Sequence, residues 1–327
     1  MDGLFSNLVL GFSVAATATN LFYCFVGVLF GTLVGVLPGI GPLATIAMLL
    51  PITYKMTDPT TALIMLAGIY YGAQYGGSTT AILVNLPGET SSVVTTLDGY
   101  QMARVGRAGP ALATAAIASF FAGTVSTLAI AAFAPPLAEI AFKFGPAEYF
   151  SLMVLGLIAA VVLAQGSIVK ALAMVVLGLL LGMIGTDVNS GVARFSFEIP
   201  ELTDGIEFAA VAMGMFGFGE IIANLEQREN RQVFTNKVGK LMPTSEDFRR
   251  IVNPILRGTF LGGALGILPG GGSVLSAFSA YAIEKKISKT PEKFGTGMIE
   301  GVAAPEAANN AGAQTSFIPM LTLGIPT

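Results

Sequence analysis

The sequence predicts an all-α integral membrane protein, a polytopic helical bundle built from inverted repeats, with re-entrant hairpins and broken helices. Three observations predict it. Hydrophobic residues make up 53% of the 327 positions and charged residues only 11%, whereas a soluble domain carries roughly 25% charged residues. These charges are too few to cover a water-facing surface. Apolar stretches such as 147–164 and 168–184 have about the length that crosses roughly 30 Å of hydrocarbon at 1.5 Å per residue. The pattern Gly-x3-Gly-x3-Gly-x-Leu-Pro-Gly-x-Gly occurs twice, at Gly27, Gly31, Gly35, Leu37, Pro38, Gly39 and Gly41, and 231 positions on at Gly258, Gly262, Gly266, Leu268, Pro269, Gly270 and Gly272.

The elements follow in order. Each copy of the pattern reads as an apolar helix with small residues on one face, broken by Pro-Gly-x-Gly and continued by a short apolar arm. The first such hairpin covers 20–52, and a broken helix follows at 60–87, where Gly76-Gly77 lies in a polar cluster. Further spans are expected near 109–135, 147–164, 168–185 and 206–225. The pattern then restarts, with a hairpin at 250–283 and a broken helix at 296–326. The chain thus divides into a first repeat, 1–235, and the start of a second, 236–327.

Charge assigns the orientation, because cytoplasmic loops collect Lys and Arg. None precedes Lys55, so the N-terminus is expected outside the cytoplasm, as mature protein. The second hairpin is flanked by Arg249 and Arg250 before it and by Lys285, Lys286, Lys289 and Lys293 after it. Each unit therefore enters and leaves on one side, and the two enter from opposite faces, with five crossings between them. Only Lys55, Lys143 and Arg194 of the seventeen positive charges then fall outside. A single kinked helix in place of each hairpin is the plainer alternative, and the charge distribution opposes it.

The absence of His and the lone Cys24 exclude a disulfide framework and remove the commonest metal ligand and general base. No catalytic residue, metal centre or cofactor is expected, beyond a sodium ion as coupling ion. An intramembrane enzyme would need a nucleophile with its base or a pair of facing acids, and the sequence offers neither.

The candidate binding residues are uncharged. The tip Pro38, Gly39, Gly41 leads into a helix whose free N–H groups attract anions. Its counterpart is Gly270, Gly271, Gly272 and Ser273. The clusters Ser78, Thr79, Thr80 with Asn85, and Asn309, Asn310 with Gln314 and Thr315, supply hydroxyls and amides at membrane depth. For a sodium ion the expected ligands are Gly76, Gly77, Thr79, Asn309 and Thr315, through hydroxyls, amides and carbonyls freed by helix breaks. Glu306 is read as functional, with a proton-coupled variant through it as the alternative to sodium, and Glu220 as interfacial, since ionisable groups in hydrocarbon are costly. The spaced glycines are expected to pack helices closely.

The stretches Gly35-Val-Leu-Pro-Gly-Ile-Gly-Pro42, Gly76-Gly-Ser-Thr-Thr80, Asn85-Leu-Pro-Gly-Glu89, Asp98-Gly-Tyr-Gln-Met-Ala-Arg104, Gly106-Arg-Ala-Gly-Pro110 and Ala304-Pro-Glu-Ala-Ala-Asn-Asn-Ala-Gly312 resemble the large membrane subunit of the tripartite tricarboxylate transporters, the TctA family, from about Asn20 to Thr327. The resemblance implies a secondary transporter of the bacterial inner membrane that takes up a carboxylate. It implies a small four-helix membrane subunit and a periplasmic solute-binding protein as partners, with sodium coupling and an elevator-like movement. It also implies further spans beyond Thr327, so the second repeat reads as truncated. The loop 89–109 is placed in the cytoplasm with a structural or partner-contact role. A channel-like or passive scaffold subunit is the alternative, and steady conductance without a binding protein would favour it.

Overall fold

A computed structural model describes residues 2–37, 40–141, 167–187, 190–206, 240–268 and 272–323, with scattered positions between 143 and 161 and at Ile222. The regular elements among the described residues are helices except for one two-residue strand pair. Helix α1 (Asp2–Ala15) precedes the first copy of the glycine pattern. That copy forms α2 (Ala18–Gly35), α3 (Gly41–Tyr54) and α4 (Pro59–Val84). Thr17 caps α2, and Asp58 caps α4 by accepting from the Thr60 and Thr61 amides ahead of Pro59.

The regular glycines face backbone. A methyl group on Gly27, Gly31 or Gly35 would collide with the carbonyl oxygen of Met65, Ile69 or Ala73, and one on Gly72 with that of Val28. This register rises together on both helices, so α2 and α4 are parallel and α3 returns the chain between them. The Thr61 hydroxyl donates to Asn20 Oδ1 at 2.6 Å and ties the two helix starts together.

The second copy packs in the same way. It forms α9 (Ser245–Gly266), α10 (Gly272–Ile287) and α11 (Glu300–Thr315), followed by α12 (Phe317–Leu323). Gly258, Gly262 and Gly266 lie against the carbonyl oxygens of Ala304, Ala308 and Gly312, so α9 and α11 are also parallel. The last glycine of each pattern has its own reason. Gly41 and Gly272 begin α3 and α10 with φ of +58° and +41°, a region that side chains with Cβ adopt only with strain.

Between the copies run short segments, α5 (Val93–Thr95) and α6 (Gln101–Arg104), joined by a π-helical turn (Thr96–Tyr100), then the long α7 (Ala108–Ala141) and α8 (Ile168–Gly182). Strands β1 (Gly185–Thr186) and β2 (Ala193–Arg194) pair antiparallel after α8. Ala18–Gly35 and Ala108–Phe133 are long and apolar enough to cross a membrane. The core lies where α7 meets α11 and α9, and Ala111, Ala115, Ala118, Ala303, Ala307 and Ala311 fill it.

The units meet antiparallel. Tyr70 stacks edge-on against Phe317 with ring centroids 6.4 Å apart, while Ile82, near the other end of α4, shares Gly99 as a neighbour with Val302 near the start of α11. Asp98 fastens this arrangement. Its Oδ1 accepts from the amides of Gly295, Gly297 and Met298 at 2.7–2.9 Å, and its Oδ2 from the Tyr281 hydroxyl at 2.9 Å.

Several expectations are corrected. The expected break in 60–87 does not fall at Gly76-Gly77, because α4 is continuous to Val84 and ends at Asn85, whose φ is +58°. Close packing is the reason. Gly76 lies against the Thr32 carbonyl and Gly77 against Gly88, which compensates the roughly 0.5–1 kcal/mol that each helical glycine costs. In 296–326 the helix likewise passes Pro305 unbroken, and the interruption comes at Ser316. The span expected at 168–185 is a helix of only 15 residues followed by the strand pair. Most of the expected spans 147–164 and 206–225, and with them Glu220, lie outside the described residues.

Candidate functional site

The site is built from α4, α7 and α11. These helices line an open cleft of about 440 Å³ whose polar lining is Tyr71 and Tyr75 from α4, Ser119, Thr124 and Thr127 from α7, and Asn310 and Gln314 from α11. None of these is a formally charged group. Asn310 donates to Ser119 Oγ at 2.7 Å and Gln314 to Thr127 Oγ1 at 2.9 Å. The i, i+4 spacing of Asn310 and Gln314 puts both amides on one face of α11.

Behind Ser119 is a buried acid. Glu306 is 2% exposed; its Oε1 accepts from the Thr95 hydroxyl at 2.6 Å and its Oε2 from Ser119 at 3.3 Å. Ser78 of α4 bonds it as well. One turn further along α11, Asn309 donates at 3.4 Å to Glu89 Oε1, which also accepts from Ser91 at 2.6 Å. Glu89 packs against Gly41 and Gly77, while Gly312 packs against Ser276 and Gly272. Residues 309–312 of α11 therefore join the neighbourhoods of the two glycine-pattern breaks.

Some polar atoms in this region have no partner among the described residues. They include the Tyr71 hydroxyl and Asn309 Oδ1. An unpaired buried polar group costs about 1–3 kcal/mol, so such atoms are candidates for ligand contact.

The expected residues separate into groups. Asn310 and Gln314 line the cavity, Asn309 meets Glu89, and Ser78 meets Glu306. Thr79, Thr80 and Thr315 instead turn their hydroxyls onto carbonyls of their own helices. Gly76 serves packing, and the Gly77 carbonyl accepts from the Gly88 amide, so the carbonyls expected to be free for sodium at this place belong to an intact helix. Asn85 is the C-cap of α4, and Ser273 lies in the first turn of α10. Pro38, Gly39, Gly270 and Gly271 are outside the described residues.

Sequence reasoning missed Glu89, Thr95, Ser119, Thr127, Tyr71 and Tyr75. Glu89 and Thr95 were hidden by the assignment of 89–109 to a cytoplasmic loop. Within that segment Asp98 and Arg107 do have structural roles, Arg107 through an ion pair with Asp247 at 2.6 Å.

A larger groove, about 720 Å³, lies beside the charged ends of α9 and α10. Its Arg250 and Arg257 are already paired with Glu300 and Glu284, and its lining comes from α9, α10 and the start of α11, with nothing from α4 or α7. The smaller uncharged cleft is the better candidate.

A family model described as the tripartite tricarboxylate transporter TctA family matches residues 21–327. The chain belongs to the TctA family. TctA proteins are membrane proteins of a transporter family, which agrees with the apolar helices α2 and α7. The chain is 64% identical over 326 residues to an uncharacterized 52.8 kDa protein of the TAR-I ttuC′ 3′ region of Agrobacterium vitis. That match covers all of this chain and 65% of the relative, so the chain spans about two thirds of that relative's length. A second A. vitis protein, uncharacterized and from the TAR-II ttuC′ 3′ region, is 68% identical over 65 residues, 20% of this chain and 27% of that protein. No solved structure matches this TctA chain.

Proposed function

We propose that the chain is part of the large transmembrane subunit of a binding-protein-dependent secondary transporter that takes up a carboxylate, a tricarboxylate or related organic acid, with sodium as coupling ion. It works in the bacterial inner membrane, N-terminus in the periplasm, with a small four-helix membrane subunit and a periplasmic solute-binding protein. Membership of the TctA family supports the transporter class and the tripartite assembly.

The observation that carries the mechanism is the position of the cleft. Its walls come from α4 of one glycine-pattern unit and α11 of the other, so relative movement of the units would open it to alternate sides. The antiparallel contact of α4 with α11 supports inverted repeats divided near residues 235 and 236. The return of the chain through α3 supports a re-entrant hairpin at 20–52, with its counterpart at 250–283.

The cleft holds a carboxylate by the unpaired Tyr71 hydroxyl and the second N–H of Gln314, while Asn310 and Thr127, whose donors go to Ser119, the Glu306 carbonyl and the Gly123 carbonyl, shape its wall. Sodium is assigned to the oxygens beside Glu89, chiefly the Glu89 carboxylate and Asn309 Oδ1. Gln74 reaches the same region, one turn before Gly77.

The test is citrate and tartrate uptake by the full-length chain with both partners in proteoliposomes under an imposed sodium gradient. Asn310→Leu combined with Gln314→Leu is expected to abolish uptake while leaving the complex assembled. Unchanged uptake would remove the cleft from the pathway, and steady conductance without the binding protein would replace the carrier by a channel.

A further inference from the structure

We propose that Glu306 is a proton-binding site coupled to the cleft: its carboxyl takes up one proton when a carboxylate enters beside it and releases that proton when the carboxylate leaves. This rests on the uptake reading above and adds to it a second coupled ion with its own residue.

Burial and the absence of a counter-charge come first. Glu306 is 2% exposed, and the chain has no His. Among the described residues the Arg–carboxylate pairs lie elsewhere, at Asp187, Asp247, Glu284 and Glu300. An ionised carboxylate buried with hydroxyl partners but without a counter-charge carries a penalty, which a bound cation removes.

Spacing selects which cation. The Thr95 and Glu306 oxygens are 2.6 Å apart, so the hydroxyl donates to the ionised carboxylate and can turn to accept from the carboxyl once that is protonated. A metal ion instead sits between its ligands at about 2.3–2.6 Å from each oxygen, and the other carboxyl oxygen is taken up by Ser119. The proton is the cation that fits.

Access comes from the cleft. Ser119 Oγ accepts from the Asn310 amide at 2.7 Å and donates to Glu306 Oε2, so one hydroxyl separates the acid from the cavity. A negative charge at Glu306 would repel an incoming carboxylate through a medium of low dielectric, and protonation removes that repulsion. Binding of the anion and of the proton therefore favour one another.

The surrounding titratable groups are few. From α4 Tyr75 feels the charge of Glu306, and from the following loop Glu306 acts on Glu89; Tyr71 lines the same cleft. The segment α5 brings Thr95 and α7 brings Ser119. On α11 itself Glu300 is paired with Arg250, on α9 Arg257 is paired with Glu284, and on α10 Tyr281 is bonded to Asp98.

The experiment uses the full-length chain with its partners in proteoliposomes loaded with a pH-sensitive dye. In the wild type, citrate uptake is expected to acidify the lumen, and its rate to fall about tenfold per pH unit on the alkaline side, the slope of a single proton. Glu306→Gln should exchange external for internal citrate without acidification and without that slope. Proton movement that persists in Glu306→Gln, or loss of exchange together with uptake in a folded complex, overturns the inference. If Glu306→Gln fails to assemble, Ser119→Ala decides: slowed acidification supports the relay, and wild-type acidification overturns it. Citrate uptake without proton movement in the wild type sinks this inference and leaves the uptake reading intact. No uptake of citrate or tartrate in the wild type overturns both.

Discussion

The Thr95 hydroxyl lies 2.6 Å from Glu306 Oε1, across a sequence separation of 211 residues. The bond joins the loop that follows the first glycine-pattern unit to the central helix of the second. With Asp98 and the amides of 295–298, it makes the segment 89–104 an internal strut of the fold.

The helix pairs depend on bare backbone. Gly31→Ala and Gly262→Ala each place a methyl against a carbonyl oxygen of the partner helix, and overpacking of this kind costs about 1–3 kcal/mol. Thermal unfolding of the full-length protein in detergent should show both variants destabilised, and Gly178→Ala, where a methyl meets nothing within 4 Å, as stable as the wild type or slightly more so. Equal stability of all three would contradict the parallel helix register.

Asp98→Asn removes a charged acceptor from three backbone amides. Hydrogen bonds to charged groups contribute about 1.5–3 kcal/mol. The variant is expected to unfold at lower temperature and to be cut faster by protease within 293–299. Wild-type protection there would mean that Asp98 does not hold the start of α11.

The two clusters noticed in the sequence should now respond differently. Asn309 bonds Glu89, whereas Thr79 bonds only its own helix. Asn309→Leu is expected to remove the sodium dependence of uptake, and Thr79→Val to leave it within about twofold. The reverse pattern in sodium titrations would place the ion at Thr79 and not at Asn309, both of which are ligands expected from sequence.

Acid stability has a specific contributor at the start of α9. Burial raises the Asp247 carboxyl, but hydrogen bonds from Arg107 and Thr244 outweigh it and hold the group below its ordinary 3.8. Since the folded value is the lower one, the contribution to stability is complete above the unfolded value and is lost as pH falls through the folded one. Asp247→Asn should therefore flatten the loss of stability between about pH 5 and about pH 3. An unaltered acid limb in the melting temperature would show that other carboxylates control it.

What the sequence disclosed follows from locality. Gly27, Gly31 and Gly35 share a helix face whatever they touch, so their packing role was legible before any partner was known. The same holds for Asn310 and Gln314. The continuity of α4 was not legible, because Gly76 and Gly77 are tolerated only by the helix α2 and the residue Gly88 that press against them. Thr95, Ser119 and Glu89 were missed because each is an ordinary residue until α11 arrives from roughly two hundred positions away. Arg104 and Arg107 assign the loop 89–109 to the cytoplasm by charge alone, and charge carries no sign that Thr95 and Asp98 within it are buried.

Alkylation reports whether substrate occupies the cleft between α4, α7 and α11. In the full-length protein carrying Cys24→Ser and Gln314→Cys, assembled with its partners, the rate of maleimide reaction is measured with and without saturating citrate or tartrate. A transported carboxylate is predicted to slow alkylation at position 314 by about tenfold or more, as expected for an occupied site. An unchanged rate, with uptake of the same carboxylate intact, would place the substrate elsewhere.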